Sequence, residues 1–516
     1  DVATGAEIPL TLKAIDHAYV TFAVPQEIPT GSYRLVVHRG RESQVLGILK
    51  FRRSLDIEIP DKEGMNVKGV VFCGSLPVAG VVVSDGEVVT TTDDAGCYYL
   101  ASKKHHGYVF MSVPSGYEPQ SEHSVPLIWG PVTPGEEACE QVDFELVEAP
   151  GQDDFDLLVL ADIHLANRLG DIAQYKELML PEVKNYIAAS PRKVYIMNVG
   201  DMTFDLYWNS NKYNLGDYTN TLKDSAIPAL IYHVPGNHDN DGATPAGAGV
   251  DRRAEHLYRR TFGPTYYAMN IGDVHWIMMD NIIYKNTPGK GKKNVGVVGA
   301  RDYDKGFTPE QLAWLRRDLA TVDASKTVCL CTHCPVFFDR DRRTLLTDRS
   351  QVDSLDALFS RFERVHIFSG HAHRTLYTQD ADYPRFDQYV LPATSGDMWV
   401  ANNDFQALCP DGSDAGFVVA SVDGGKLRCD YRTHLYGRKV LRAYDMNAVG
   451  EYYRNDSLVR VQRRLYPDRA DYGREEYANC VYVNYWGYLP GHRVELFEEG
   501  RPLEVVQVED EDPLYN

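Results

Sequence analysis

Five times between Leu157 and His373 a short apolar run of strand type breaks off onto a residue able to bind a metal ion, and this recurrence constrains the fold more than any other feature. The runs read LLVLADIHL, VYIMNVGD, LIYHVPGNHD, VCLCTHCP and VHIFSGHAH. They deliver Asp162 and His164; Asp201; Asn237, His238 and Asp239; His333; and His371 with His373. Short apolar runs alternating with helical segments predict the strands of an α/β sheet, and such sheets gather their ligands at the strand ends. In extended chain, residues two apart face the same way, so Asp162/His164 and His371/His373 each present two donors from one place.

The donors are a mixed N/O set: the carboxylates of Asp162 and Asp201, the amide of Asn237, and the imidazoles of His164, His333, His371 and His373. Such a set suits Zn, Mn or Fe. Seven donors exceed what one ion takes, so two divalent ions are expected, with Asp201 placed to bridge them. Two such ions, less two carboxylates and one hydroxide, leave a formal charge of about +1, which attracts a phosphate anion. That local field opposes the global one, because 53 Lys and Arg against 73 Asp and Glu give the chain a net charge of −20. So acidic a chain is a poor general binder of nucleic acid.

Length and texture divide the chain. At 516 residues it exceeds one domain, and no apolar run approaches the ~20 residues that cross a bilayer. Residues 1–62 alternate as strands do, with a hairpin expected from Tyr19–Val24 through the turn Pro29-Thr30-Gly31 to Tyr33–Val37; they are read as a small Ig-like β-sandwich. Residues 63–150 carry short strands with Asp/Gly turns, a second β-domain whose VKGVVF, LPVAGVVVSDG and TTDDAGCYYL segments resemble the transthyretin-like, carboxypeptidase-regulatory type. Residues 151–438 hold the α/β pattern, including a helical region Ile172–Ile187 that Pro181 interrupts. They also hold the capping box Thr308-Pro309-Glu310-Gln311 ahead of Leu312, Leu315 and Leu319. From about Asp387 strands return without helices, and residues 439–516 are read as a C-terminal β accessory domain.

In order and spacing, D-x-H, G-D, G-N-H-D, a lone His and G-H-x-H resemble the calcineurin-like metallophosphoesterases, as do FGPTYYAMNIGDVHWIMMDN and FTPEQLAWLRRDL. The whole layout is similar to a bacterial subgroup carrying N-terminal and C-terminal accessory domains. The resemblance implies a four-layer αββα catalytic sandwich flanked by two N-terminal β-sandwich domains and a C-terminal β domain, whose last strands are expected beyond Asn516. It further implies one ion on Asp162, His164, Asp201 and His373, and a second on Asp201, Asn237, His333 and His371. His238 then protonates the leaving oxygen, and Asp239 orients it.

The expected function is metal-dependent hydrolysis of a small phosphate ester by a binuclear centre with metal-activated hydroxide. A phosphodiester is slightly favoured over a monoester, because a charge of about +1 suits a monoanion. The alternative is a cell-surface or periplasmic protein that binds glycan or protein through its β-domains and keeps a vestigial metal site. The chain begins at Asp1 without Met or a leader, which reads as an exported protein whose leader is absent. Nine cysteines are too few for a disulfide framework, and Cys329, Cys331 and Cys334 read as core thiols. His105-His106 reads as exposed, Tyr207 and Trp208 as packing, and Lys285–Lys293 as a solvated loop.

Overall fold

The computed structural model describes the chain except residues 1–4, 16–19, 24–27, 29–30, 41, 52–56, 136–137, 292–295, 339–343, 346–347, 395–407, 435–438, 490, 509 and 515–516. Two sheets form the catalytic region. In the first, β1 (Asp154–Leu160) lies parallel to β2 (Lys193–Asn198), which lies parallel to β3 (Ile231–His233). In the second, β4 (Tyr267–Ile271) pairs antiparallel with β5 (Val274–Met278), and β5, β6 (Thr327–Cys331), β7 (Val365–Ser369) and β9 (Phe386–Val390) run parallel, with β8 (Leu376–Thr378) on the edge. The chain then returns to the first sheet as β10 (Gly416–Asp423), antiparallel to β1, and β11 (Lys426–Thr433).

The period of two along β1 shows how the layers stack. Phe155, Leu157, Val159 and Ala161 join the core between the sheets, where the Phe155 ring meets Trp276 at 6.4 Å. Leu158 and Leu160 point the other way, into a second core with Tyr175, Met179, Val183, Tyr218 and Leu222 of the outer helices. On the far side, Trp314, Leu315 and Leu319 of the helix Pro309–Leu319 and Val352 and Leu355 of the helix Arg349–Leu358 cover the second sheet. The four layers are helix, sheet, sheet, helix, as the resemblance implied. The capping box stands: Gln311 N donates to Thr308 Oγ1, and Thr308 N donates to Gln311 Oε1, each at 3.3 Å.

Pro181 does not break its helix. Asp171–Gln174, a π turn Tyr175–Met179 and Leu180–Ala189 run on as one segment, with Pro181 in the first turn of the last. A proline crowds the turn before it, and widening that turn to π spacing accommodates the ring.

Residues 65–149 share the central core. Phe110 packs on Trp314 with ring centroids 6.1 Å apart, Val113 bridges to Met269 of β4, and Ser115 Oγ donates to Gly272 O at 2.6 Å. His106 is a correction to the sequence reading. It is half-buried at this junction, where Arg259 Nη2 lies 3.0 Å from its Nδ1 and Tyr266 OH 3.2 Å from its Nε2. Residues ahead of this domain also differ from expectation. Val20–Ala23 pairs with Thr11–Ile15, and Gly31–Arg39 with Glu42–Phe51, so among the described residues the 19–24 and 33–37 runs are not paired as the expected hairpin; Tyr19, Val24, Pro29 and Thr30 of it lie outside the described residues. Beyond residue 439, helices Met446–Asn455 and Ser457–Leu465 stand beside the hairpins where strands alone were expected. Among the described residues no helix is long and apolar enough to cross a membrane.

Candidate metal centre

All five motifs fall at the C-terminal ends of parallel strands: Asp162 and His164 after β1, Asp201 after β2, Asn237 and His238 after β3, His333 after β6, and His371 and His373 after β7. The two sheets therefore face their donors toward one place. The turns that do this are strained. Asp162, His164, Asp201, His371 and His373 all have positive φ, between 51° and 64°. For a residue with a Cβ, this conformation costs roughly 1–2 kcal/mol each, an expense that persists at functional sites. The motifs also brace one another: His164 N donates to Asp201 O at 2.9 Å, and Gly370 N to His333 O at 2.9 Å.

Each carboxylate divides its work. Asp162 Oδ2 accepts from His371 N at 2.9 Å, while its buried Oδ1 has no hydrogen-bond partner among the described residues and lies 3.2 Å from His373 Nε2 and 3.6 Å from His164 Nε2. Asp201 Oδ1 accepts from His238 N at 2.8 Å, and its Oδ2 turns to His333 Nε2 at 3.2 Å and His164 Nε2 at 3.7 Å. The Nε2 atoms of His164 and His373 face each other at 3.1 Å, and Asn237 Oδ1 lies 3.0 Å from His333 Nε2. Three overlapping groups emerge, Asp162/His164/His373, His164/Asp201/His238 and Asp201/His333/His371. All seven expected donors are brought together, and Asp201 lies where the groups meet.

The electrostatics fit cations. Burial keeps His164 and His371 neutral, lowering their pKa to about 4 and about 3, which is the form that ligates. Burial also disfavours a charged His333, but Asp201 overrides it and lifts the pKa to about 9. Burial likewise disfavours an ionised Asp201, yet His333 and His238 hold its pKa below the usual range. These carboxylates thus draw positive charge into a buried site, and the unpartnered Asp162 Oδ1 offers a further donor to it. His333 Nδ1 lies 2.9 Å from Val199 O, which fixes the tautomer and leaves Nε2 for the site.

His238 belongs to the group with His164 and Asp201, its Nε2 4.0 Å from Asp201 Oδ2. Burial opposes its charged form, but Asp201 and then Asp205 raise its pKa above the ordinary value. The carboxylate at its Nδ1 is Asp205, whereas the resemblance implied Asp239. Asp205 Oδ1 lies 2.8 Å from His238 Nδ1. Asp239 points inward and accepts from Gly236 N at 2.9 Å, Thr203 N at 3.1 Å and Met202 N at 3.3 Å, so it braces the motifs after β2 and β3. Sequence reading also missed Phe204, whose ring centroid is 4.3 Å from that of His238, and Arg301, whose Nε donates to Asp205 Oδ2 at 2.5 Å. Asp205 had a faint signal as a second carboxylate in GDMTFD; Arg301, far along the chain, had none. Trp208 packs as expected and donates through Nε1 to Thr203 Oγ1 at 2.9 Å, while Tyr207 OH accepts from Arg168 Nη1 at 2.9 Å. The three thiols near His333 are buried.

Three family models match consecutive stretches: the N terminal of calcineurin-like phosphoesterase over residues 65–149, calcineurin-like phosphoesterase over 155–375, and the C terminal of calcineurin-like phosphoesterase over 388–516. The chain belongs to the calcineurin-like phosphoesterases, metal-binding hydrolases of phosphate esters, in the form that carries both accessory regions. No curated protein matches it. Similar solved structures include a dimetal phosphatase from Danio rerio, at 14% identity and TM-score 0.37, covering 55% of this chain and 96% of the other. A purple acid phosphatase from yellow lupin seeds is similar at 14% identity and TM-score 0.37, covering 70% and 68%. The structure of PhoD is similar at 12% identity and TM-score 0.34, covering 70% and 81%.

Proposed function

We propose that this chain is a binuclear phosphoesterase that holds one divalent ion on Asp162, His164, Asp201 and His373 and a second on Asp201, Asn237, His333 and His371. The observation that carries the reading is Asp201 Oδ2 at the meeting point of two donor groups, with the orphaned Asp162 Oδ1 beside it. Mn, Zn and Fe all suit these donors. Bound there, two ions would supply Lewis-acid polarisation of the phosphoryl group and a more acidic water. The chain's own residues do the rest. The carboxylates of Asp162 and Asp201 set the charge that the phosphate meets, and His238 holds a proton at Nε2 on the side where the ester oxygen departs. Phe204 covers one side of that imidazole.

The substrate is a small phosphate ester, with a diester slightly ahead. Arg301 adds little net charge to the site because Asp205 pairs with it, so the charge of about +1 still favours a monoanion. A vestigial site would have lost donors, and the full set of seven argues against that reading. Export, and contact of the β-domains with a glycan or a surface, belong to the same proposal and are tested by cell fractionation and glycan-array binding. For the reaction, bis(p-nitrophenyl) phosphate and p-nitrophenyl phosphate are assayed after Mn or Zn loading. Turnover of the diester that disappears in Asp201→Ala and His371→Ala is expected; turnover unchanged in both variants would overturn the assignment.

A further inference from the structure

Resting on that reading, we infer that Arg301 is a positioning residue for His238, acting through Asp205, and that it is what lets the site cleave esters of poorly departing alcohols. Asp205 is fully buried, and both its oxygens are held by one guanidinium: Arg301 Nε donates to Oδ2 at 2.5 Å and Arg301 Nη2 donates to Oδ1. A carboxylate on its own rotates about a soft terminal torsion; a planar fork engaging both oxygens fixes its plane. The fixed Oδ1 is then the acceptor for His238 Nδ1 at 2.8 Å. Arg301 Nη2 also lies 2.9 Å from His238 Nδ1. A carboxylate only accepts, so in the tautomer that pairs with Asp205 Oδ1 the hydrogen is on Nδ1, and Nε2 is the atom turned toward Asp201.

The chain goes to some trouble to deliver this side chain. Arg301 has φ of 59°, in the left-handed region. Its backbone N donates to Asn286 Oδ1 at 2.9 Å, and the buried Asn286 is itself tied through Nδ2 to Thr244 O at 2.6 Å, in the loop that follows the G-N-H-D motif. Phe204 packs against both, its ring centroid 5.7 Å from the guanidinium carbon and 4.3 Å from the centroid of the His238 ring. Arg301 thus belongs to a packed unit with Asp205, Phe204 and His238, and it is not a loose surface cation.

The chemical consequence follows from the proton. As the water oxygen bonds to phosphorus, the ester P–O bond breaks and its electron pair goes to the departing oxygen. That oxygen takes the proton from His238 Nε2, and the imidazole regains one from solvent, which receives the proton shed by the attacking water. An alkoxide needs this proton; a p-nitrophenolate scarcely does.

The test is the dependence of rate on leaving group, measured with metal-loaded full chain on diesters of p-nitrophenol, phenol and a simple alkyl alcohol. In Arg301→Met we expect the p-nitrophenyl ester to lose a few-fold and the alkyl ester to lose a further ~10²-fold or more, matching the slope of His238→Ala, with metal content by elemental analysis as in wild type. Arg301→Lys should fail to restore the slope, since one point charge cannot hold both oxygens. If stranding Asp205 without its partner prevents folding, Arg301→Met/Asp205→Asn removes both charges and should show the same slope. The crystal structure of Arg301→Met should show the Asp205 carboxylate and the His238 ring turned from their places. Equal losses on every leaving group, a wild-type slope in Arg301→Lys, or an unmoved Asp205 and His238 would each overturn the role of Arg301. A flat slope in His238→Ala would instead overturn His238 as the acid, and no turnover of any ester by metal-loaded wild type would overturn the enzyme reading.

Discussion

Gly236 offers a purely steric probe of how tightly the centre is built. Its φ of −111° is open to any residue, so alanine brings no backbone penalty there. A Cβ at this position would nevertheless lie 2.2 Å from Asp201 Oδ1 and 2.3 Å from Asp201 N, where ordinary contact begins at 3.4 Å. The obstacle is backbone and a carboxylate already engaged: Asp201 Oδ1 accepts from His238 N, and Asp201 O from His164 N. Relief therefore shifts Asp201 or the G-N-H-D turn by roughly 1 Å. Overpacking of this kind costs ~1–3 kcal/mol, a drop in melting temperature of roughly 2–4 °C per kcal/mol for a domain of this size. A misplacement of ~1 Å at a reacting centre costs ~10²-fold in rate. Gly236→Ala should therefore melt lower, fall by about two orders of magnitude in kcat/KM, and bind fewer than two ions by elemental analysis. Gly216→Ala, which meets only Asn214 Oδ1 at 3.2 Å, is the control. A Gly236→Ala protein with two ions and wild-type kcat/KM would refute the claim that Asp201 is held to fine tolerance.

Asp239→Asn should lower stability by ~1–3 kcal/mol, through lost acceptor bonds to backbone, and retain both ions, whereas Asp205→Asn should slow alkyl esters selectively; melting curves and leaving-group series separate the two. His106 gives a pH dependence. Burial, with Arg259 adding to it, depresses its pKa from 6.5 to about 3, so its stability is fully present above pH 6.5 and is lost as the pH falls toward 3. Between pH 7 and pH 5 that is roughly 2 kcal/mol, which His106→Gln should remove from urea-unfolding curves; parallel losses in both proteins would contradict it. Chelation should destabilise the chain, and Mn or Zn should restore it by ~4 kcal/mol at a thousandfold excess over Kd, read as a shift in melting temperature.

The seven donors were legible because each stands right after a strand, where periodicity and spacing are local. The same locality made the capping box at Thr308 and the buried runs of β1, β2, β6 and β7 readable. Asp205, Arg301 and Phe204 were not legible as a unit: Arg301 meets Asp205 only through a hairpin loop and a left-handed residue, which no short pattern encodes. For the same reason Asp239, adjacent to His238 in sequence, was expected at the imidazole, where Asp205 lies instead. His106 was misread because its burial comes from Arg259 and Tyr266 of another domain. Strand partners within the first 62 residues, and the helices Met446–Asn455 and Ser457–Leu465, depend on choices of pairing and packing that composition leaves open.

The most direct measurement is the number and place of the ions, by elemental analysis of the purified chain and anomalous scattering from its crystals. Two ions ~3.5–4 Å apart, both within bonding distance of Asp201, one toward His373 and one toward His371, are the expected result. A single ion, or two ions of which neither touches Asp201, would contradict the account.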